Sequence, residues 1–174
     1  MIAYDRQSQT GFVLRFVLSM VALTAVYSYV ELLFGYTYLY PLSFLSAVLL
    51  DLSGVPNDLF IHIDQGFCAL QMERNLFHIE YECTGVFTLC IYLVTVIVYP
   101  VVWVAKVRGI ALGVSAFFAY GVLRVLGLGL ISHWVPSWLD FFHIYLMVAL
   151  NLGFLLFLWA FWVNRWAPPL PAKK

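Results

Sequence analysis

The sequence predicts an all-α integral membrane protein: a four-span helical bundle with a short outer interfacial helix and a small extracytoplasmic β-sheet. Three observations predict it. Charged residues make up 10% of the 174, where a soluble domain carries about 25%. Hydrophobic residues make up 64%, and mean hydropathy is +0.93. The few charges bound four long apolar runs and collect on opposite sides of them. So sparse a charge cannot cover a soluble surface, which rules out a cytosolic enzyme, a disordered tail and a disulfide-stapled secreted domain. Nine Lys+Arg against nine Asp+Glu leave no basic excess, so the expected partner is the lipid bilayer and not nucleic acid. The length suits about four spans of roughly 20 residues each, plus one modest extramembrane segment. With no repeat and no linker, 1–174 reads as one domain.

Span one is expected at about 13–36. Its centre, 16–30, lies between Arg15 and Glu31 and reads FVLSMVALTAVYSYV. The apolar run is too long for a cleaved signal peptide and continues into Tyr and Phe, with no small-residue cleavage site, so the helix is read as retained. Span two, at about 84–105, rests on the charge-free run between Glu82 and Lys106. Span three, at about 109–131, follows Arg108 and is interrupted only by Arg124. Span four, at about 141–163, lies in the unbroken run between Asp140 and Arg165.

Orientation follows from the basic residues. Arg6 and Arg15 precede span one; Lys106 and Arg108 are read as the turn between spans two and three; Arg165, Lys173 and Lys174 follow span four. Seven of the nine therefore mark one side, which the positive-inside rule makes cytoplasmic. The segment 37–82 holds Asp51, Asp58, Asp64, Glu73, Glu80 and Glu82 against the single Arg74, and is extracytoplasmic. The expected location is the cytoplasmic membrane, multi-pass, with both termini inside.

The outer segment has structure of its own. PLSFLSAVLLDLSG (41–54) is too short for a span and too apolar for a loop, so it is read as an interfacial or re-entrant helix. Val55-Pro56-Asn57 ends it. The stretches 58–64 and 75–82 then alternate: Leu59, Ile61 and Ile63 against Phe60, His62 and Asp64, and Phe77, Ile79 and Tyr81 against His78, Glu80 and Glu82. With 67–73 between them, this period of two predicts a small sheet.

Ionisable groups inside a span are expensive and raise a functional hypothesis. Arg124 is the one charge in the interior of any span, about two turns from the outer end if the helix closes near Ile131. Snorkelling to the headgroups, or pairing with a carboxylate, is the competing reading. Cys83 falls in Glu82-Cys83-Thr84-Gly85, where the last strand meets span two. A helix N-terminus favours the thiolate, and Gly85 lets another chain approach. Cys90 and Cys68 read as core thiols, and no C-x-x-C pair points to a redox relay or metal knuckle. His143 opens span four, with Asp140 three residues earlier to orient its imidazole. His133, in a loop at 132–140, is the competing base; His62 and His78 fall in the strands. The topology thus brings a thiol, a cation and an imidazole to the outer ends of spans two, three and four. These are the parts of a cysteine acyl-transfer site: His143 takes the thiol proton, Cys83 attacks a carbonyl, and Arg124 stabilises the oxyanion.

In order and setting these residues resemble the exosortase/archaeosortase family. The resemblance rests on ECTG (82–85) at the start of a span, the Arg of GVLRVLGLGL (121–130), and FFHIYLMVALNLGFLLFLWAFW (141–162). It covers about 40–163 and is similar to the compact exosortases of the H type. C-T-G stands where the family has C-S-G and keeps a hydroxyl and the Gly. Gly121 stands where the family often has Asn, three residues before the Arg, so any contact from that Asn is absent or supplied elsewhere.

The resemblance implies a membrane cysteine protease or transpeptidase. Its substrates would be exported proteins whose C-terminal signal joins a short motif, a transmembrane helix and a basic tail. Cleavage through a Cys83 thioester at the outer face would be followed by release, with transfer to a lipid or glycan acceptor. Cys83, Arg124 and His143 would be catalytic, with Glu82, Thr84, Gly85 and Asp140 in support, and neither cofactor nor metal. The alternatives are a non-catalytic membrane scaffold, which the Gly121 departure favours, and a small transporter subunit, which the apolar inner halves of the spans oppose. Serine, aspartyl and zinc membrane proteases would need motifs that the spans lack.

Overall fold

The computed structural model describes residues 6–72 and 75–167, with the side chains of 6–10, 27, 28, 30–33, 82 and 83 outside the description. Helix α1 (Arg6–Phe34) does not end in a loop. It passes through a π-helical turn at Gly35–Leu39 straight into α2 (Tyr40–Leu52). Pro41 lies in the first turn of α2, where its missing N–H and fixed φ are tolerated. Three antiparallel strands follow in the order β1 (Asn57–His62), β2 (Phe67–Met72) and β3 (Leu76–Glu80). A single turn of helix, α3 (Tyr81–Thr84), precedes α4 (Val86–Val98). The long α5 (Trp103–Trp134) comes next, then α6 (Leu139–Phe141), a second π-helical turn at Phe142–Leu146, and α7 (Met147–Trp166).

β2 and β3 lie within the predicted stretches; β1 starts one residue earlier, at Asn57, and Ile63 and Asp64 form a 3-10 turn instead of extending it. A period of two sorts the faces of β3, where Ile79 is buried and Leu76, His78 and Glu80 are exposed; β2 buries Cys68, Ala69 and Leu70 in a row, and Ile61 of β1 is exposed. The sheet lies against α2 and is tied to α5, because the Asn75 amide donates to the Ser132 hydroxyl at 2.9 Å. On the exposed face Phe67 is sandwiched, with His78 stacked at 4.8 Å and His62 tilted at 5.1 Å.

The helix boundaries need correction. α4 stops at Val98 instead of running to 105, because Tyr99 is extended ahead of Pro100. α5 therefore starts at Trp103, not 109, and Lys106 and Arg108 lie in its first two turns instead of a connecting turn. It also continues past 131 to Trp134, two residues before Pro136, so His133 belongs to its last turn and not to a loop. Among the described residues, two helical stretches are long and apolar enough to cross a membrane, Trp103–Trp134 and Pro136–Trp166. α4 is apolar but has only 13 residues.

α5 is the central post. Ala105, Gly109, Gly113, Phe117, Gly121, Val125 and Gly129 are all buried along it, one every four residues. Four residues advance about 40° beyond a full turn, so this stripe winds around the helix. Successive glycines accordingly meet different neighbours. A Cβ on Gly109 would strike the Trp162 indole of α7, on Gly113 the Tyr92 ring of α4, on Gly121 Leu42 and the Thr84 carbonyl, and on Gly129 Leu50 of α2. Small residues let helices approach closely where lipid supplies no hydrophobic drive between them.

Candidate active site

The segment from Tyr81 to Val86 turns the chain from sheet into helix. α3 is one turn, with Glu80 as its N-cap residue. The buried Thr84 hydroxyl closes this turn, donating to the Tyr81 carbonyl at 2.6 Å and accepting the Val86 N–H at 3.4 Å. Gly85 then takes φ +78°, a left-handed conformation that side chains resist. The glycine is thus required by the bend as well as by close approach. Cys83 lies inside α3, three residues ahead of α4 and not at its N-terminus, so the α4 dipole argument does not carry over as expected. The side chains of Cys83 and Glu82 lie outside the described residues.

The bend is seated on α5 through Gly121. A Cβ there would lie 2.6 Å from Leu42 Cδ1 and 2.9 Å from the Thr84 carbonyl oxygen. With this backbone an Asn has no room at 121. Its absence is a packing requirement of the α3–α5 contact. Arg124 stands on the next turn toward the sheet end. It is 8% exposed, and its Nε is buried without a hydrogen-bond partner. Its burial argues against snorkelling to the headgroups; among the described residues, which leave out the Glu82 side chain, no carboxylate pairs with it. Helix α5 runs on to Trp134, so Arg124 lies nearly three turns from that end and deeper than expected. One turn before it, Tyr120 stacks on Phe154 of α7 at 4.6 Å, with its hydroxyl also buried and unpartnered.

α7 adds a group that attention to charge alone misses. Asn151 donates to the Thr88 hydroxyl of α4 at 2.7 Å, while its Oδ1 is buried with no partner. That oxygen faces the bend: a Cβ on Gly85 would lie 3.6 Å from it. A neutral amide in the apolar run 141–164 was the available signal.

His143 is half-buried in the π-helical turn that joins α6 to α7, eight residues before Asn151. Such turns add a residue and re-aim a side chain, and they recur at functional sites. Asp140 is exposed in α6, and His133 is exposed at the end of α5. Cys68 and Cys90 are buried free thiols. Burial pushes the Cys68 thiol above its ordinary pKa, although hydrogen bonds with Ser43 and the His62 backbone pull the other way. Cys68 is therefore held in its unreactive neutral form.

The packing thus gathers Thr84, Gly85, Gly121 and Asn151 around the turn that carries Cys83, with Arg124 one helical turn on. Among the described residues no three His, Cys, Asp or Glu side chains converge to hold a metal ion. Set against known proteins, the chain matches no family model, no curated protein and no solved structure.

Proposed function

We propose that the chain is a four-span, exosortase-like cysteine transpeptidase of the cytoplasmic membrane, acting on the C-terminal sorting signals of exported proteins. The observation that carries this reading is Arg124: a buried guanidinium with an unpartnered Nε, one turn from the point where α5 supports the Cys83 turn. A buried guanidinium nitrogen left without a hydrogen bond is destabilising unless function retains it. Exposed apolar faces on α1 (Val13, Leu14, Val17, Leu18, Val21) and α7 (Val148, Leu152, Leu156, Phe157) support immersion in lipid. The cytoplasmic side is the one bearing Lys106, Arg108 and Arg165, and the sheet faces outward.

In this reading His143 takes the Cys83 proton and the thiolate adds to the scissile carbonyl carbon. Arg124 neutralises the oxyanion that forms, in a site partly shielded from water. The C–N bond then breaks, the leaving amine takes the proton from His143, and the upstream protein remains as a Cys83 thioester. An acceptor hydroxyl, amine or water attacks that thioester and returns the thiol. Thr84 and Gly85 hold the bend, and Gly121 seats it.

The test is processing of a tail-bearing exported protein from the same cell. Cys83→Ala and Cys83→Ser should each abolish cleavage while the protein still accumulates in the membrane. Normal cleavage in both would sink the reading. His143→Ala should be inactive and His133→Ala active; the opposite result moves the base to the end of α5.

A further inference from the structure

The open edge of the sheet is not symmetrical in what it offers. Met72 and Asn75 exchange two backbone hydrogen bonds, Met72 N to Asn75 O at 2.9 Å and Asn75 N to Met72 O at 3.3 Å. Bonded and non-bonded pairs alternate along an antiparallel ladder. In the observed register, Leu70↔Phe77 and Cys68↔Ile79 are therefore the bonded pairs. That turns the N–H and C=O of Leu76 and His78, and the N–H of Glu80, away from β2. Among the described residues no strand lies beyond β3, and no hydrogen bond reaches these groups. An edge of this kind is a template for another extended chain unless it is blocked. β3 carries neither Pro nor Lys, and its Leu76, His78 and Glu80 are exposed. The opposite edge, β1, is braced instead: the Asn57 amide bonds to the Ala47 carbonyl at 3.1 Å and to Asp51 at 2.9 Å.

β3 also has a direction. It starts at the tie between Asn75 and Ser132 and ends where α3 begins, with Cys83 three residues after Glu80. From these placements we infer that β3 docks the extended segment of the substrate tail as a fourth strand and delivers its scissile bond to Cys83. This rests on the transpeptidase reading above. A tail segment that enters the membrane from outside runs the same way as β3, so the added strand is parallel. Main-chain hydrogen bonds then supply register and much of the affinity, as in other cases of strand addition.

The probe is a synthetic tail from an exported protein of the same cell, with its extended segment, an apolar helix of about 20 residues and a basic cluster. It is presented in vesicles of phosphatidylethanolamine and phosphatidylglycerol to the full chain carrying Cys83→Ala, so binding is read without turnover. Amide exchange at His78 and Glu80 should slow at least tenfold when the tail is added, while Leu59 and Ile61 on the opposite edge stay unchanged. In the otherwise native chain, His78→Pro removes an outward N–H and no sheet hydrogen bond, and should weaken cleavage about tenfold or more; Ile61→Pro, the matched change on β1, should not. N-methylation along the tail should weaken binding roughly tenfold at alternate residues and little between them, and this holds even if the proline variants misfold. No slowing at His78 and Glu80, or N-methyl effects without alternation, would overturn the docking edge. Protection at these amides together with cleavage that persists in Cys83→Ala would instead remove the cysteine reading and leave the edge standing.

Discussion

Two places where a glycine of α5 lets a neighbour in close are built on opposite principles. At the far end, Gly109 admits the Trp162 indole, whose Nε1 donates to the Ala105 carbonyl at 2.9 Å. The contact is large, apolar and closed, its polar group satisfied. Toward the sheet, Gly121 admits the backbone of the Cys83 turn, and the groups around it are left open. Arg124 Nε, the Tyr120 hydroxyl and Asn151 Oδ1 are all buried without partners. Buried polar groups are normally paired, and each exception asks for an explanation. The first crossing is explained by stability. The second carries the cost of its unpartnered groups, and on the transpeptidase reading proposed above it is a site prepared for a charged transition state.

The comparison can be broken most directly at Arg124. Arg124→Met should lower substrate cleavage about 100- to 1,000-fold, the scale of losing an oxyanion partner. Because a buried guanidinium nitrogen without a hydrogen bond leaves with it, the thermal midpoint in detergent should hold or rise. A variant that loses activity and stability together would make Arg124 a structural cation and erase the contrast. The next largest effect belongs to Gly121. Gly121→Ala should cost about 1–3 kcal/mol, from overpacking against Leu42 and the Thr84 carbonyl. Adding Leu42→Ala should recover part of the loss but not all, since Thr84 O is backbone; denaturation of the single and double variants measures both. Full recovery would mean that only Leu42 limits the approach. The smallest effect is at the closed crossing. Trp162→Phe removes one hydrogen bond and should cost about 1–2 kcal/mol in the same denaturation assay. Its cleavage rate should match that of the unaltered protein, and a loss of rate would show the two crossings to be coupled.

How much of this was readable beforehand differs by kind of signal. The sheet was legible because alternation at 58–64 and 75–82 is a local property of the chain; β3 lies inside the second stretch, and β1 overlaps the first from Asp58 to His62. The end of α4 was not, because a charge-free run reports what lipid tolerates and says nothing of where a backbone bends. Tyr99-Pro100 was the better marker. Arg124 announced itself by its charge. Asn151 did not, since a neutral amide alters hydropathy little; its meaning comes from Gly85 and Thr88, on another helix. Gly121 was visible only as a departure from a family pattern. Its cause, the approach of Leu42 and Thr84, is a tertiary fact that no local window contains.

The bond from Asn75 to Ser132 has a consequence in time. The three strands are contiguous in sequence, so they can pair as soon as residues 57–80 have been made. Their anchor is 57 residues further along the chain. At about 5–20 residues per second of synthesis, the completed sheet waits roughly 3–10 s for Ser132 to exist. During that interval the Cys83 turn has neither Gly121 to rest on nor Arg124 beside it. On the transpeptidase reading proposed above, the nascent chain therefore carries its thiol without the means to use it, and competence arrives only once α5 is complete.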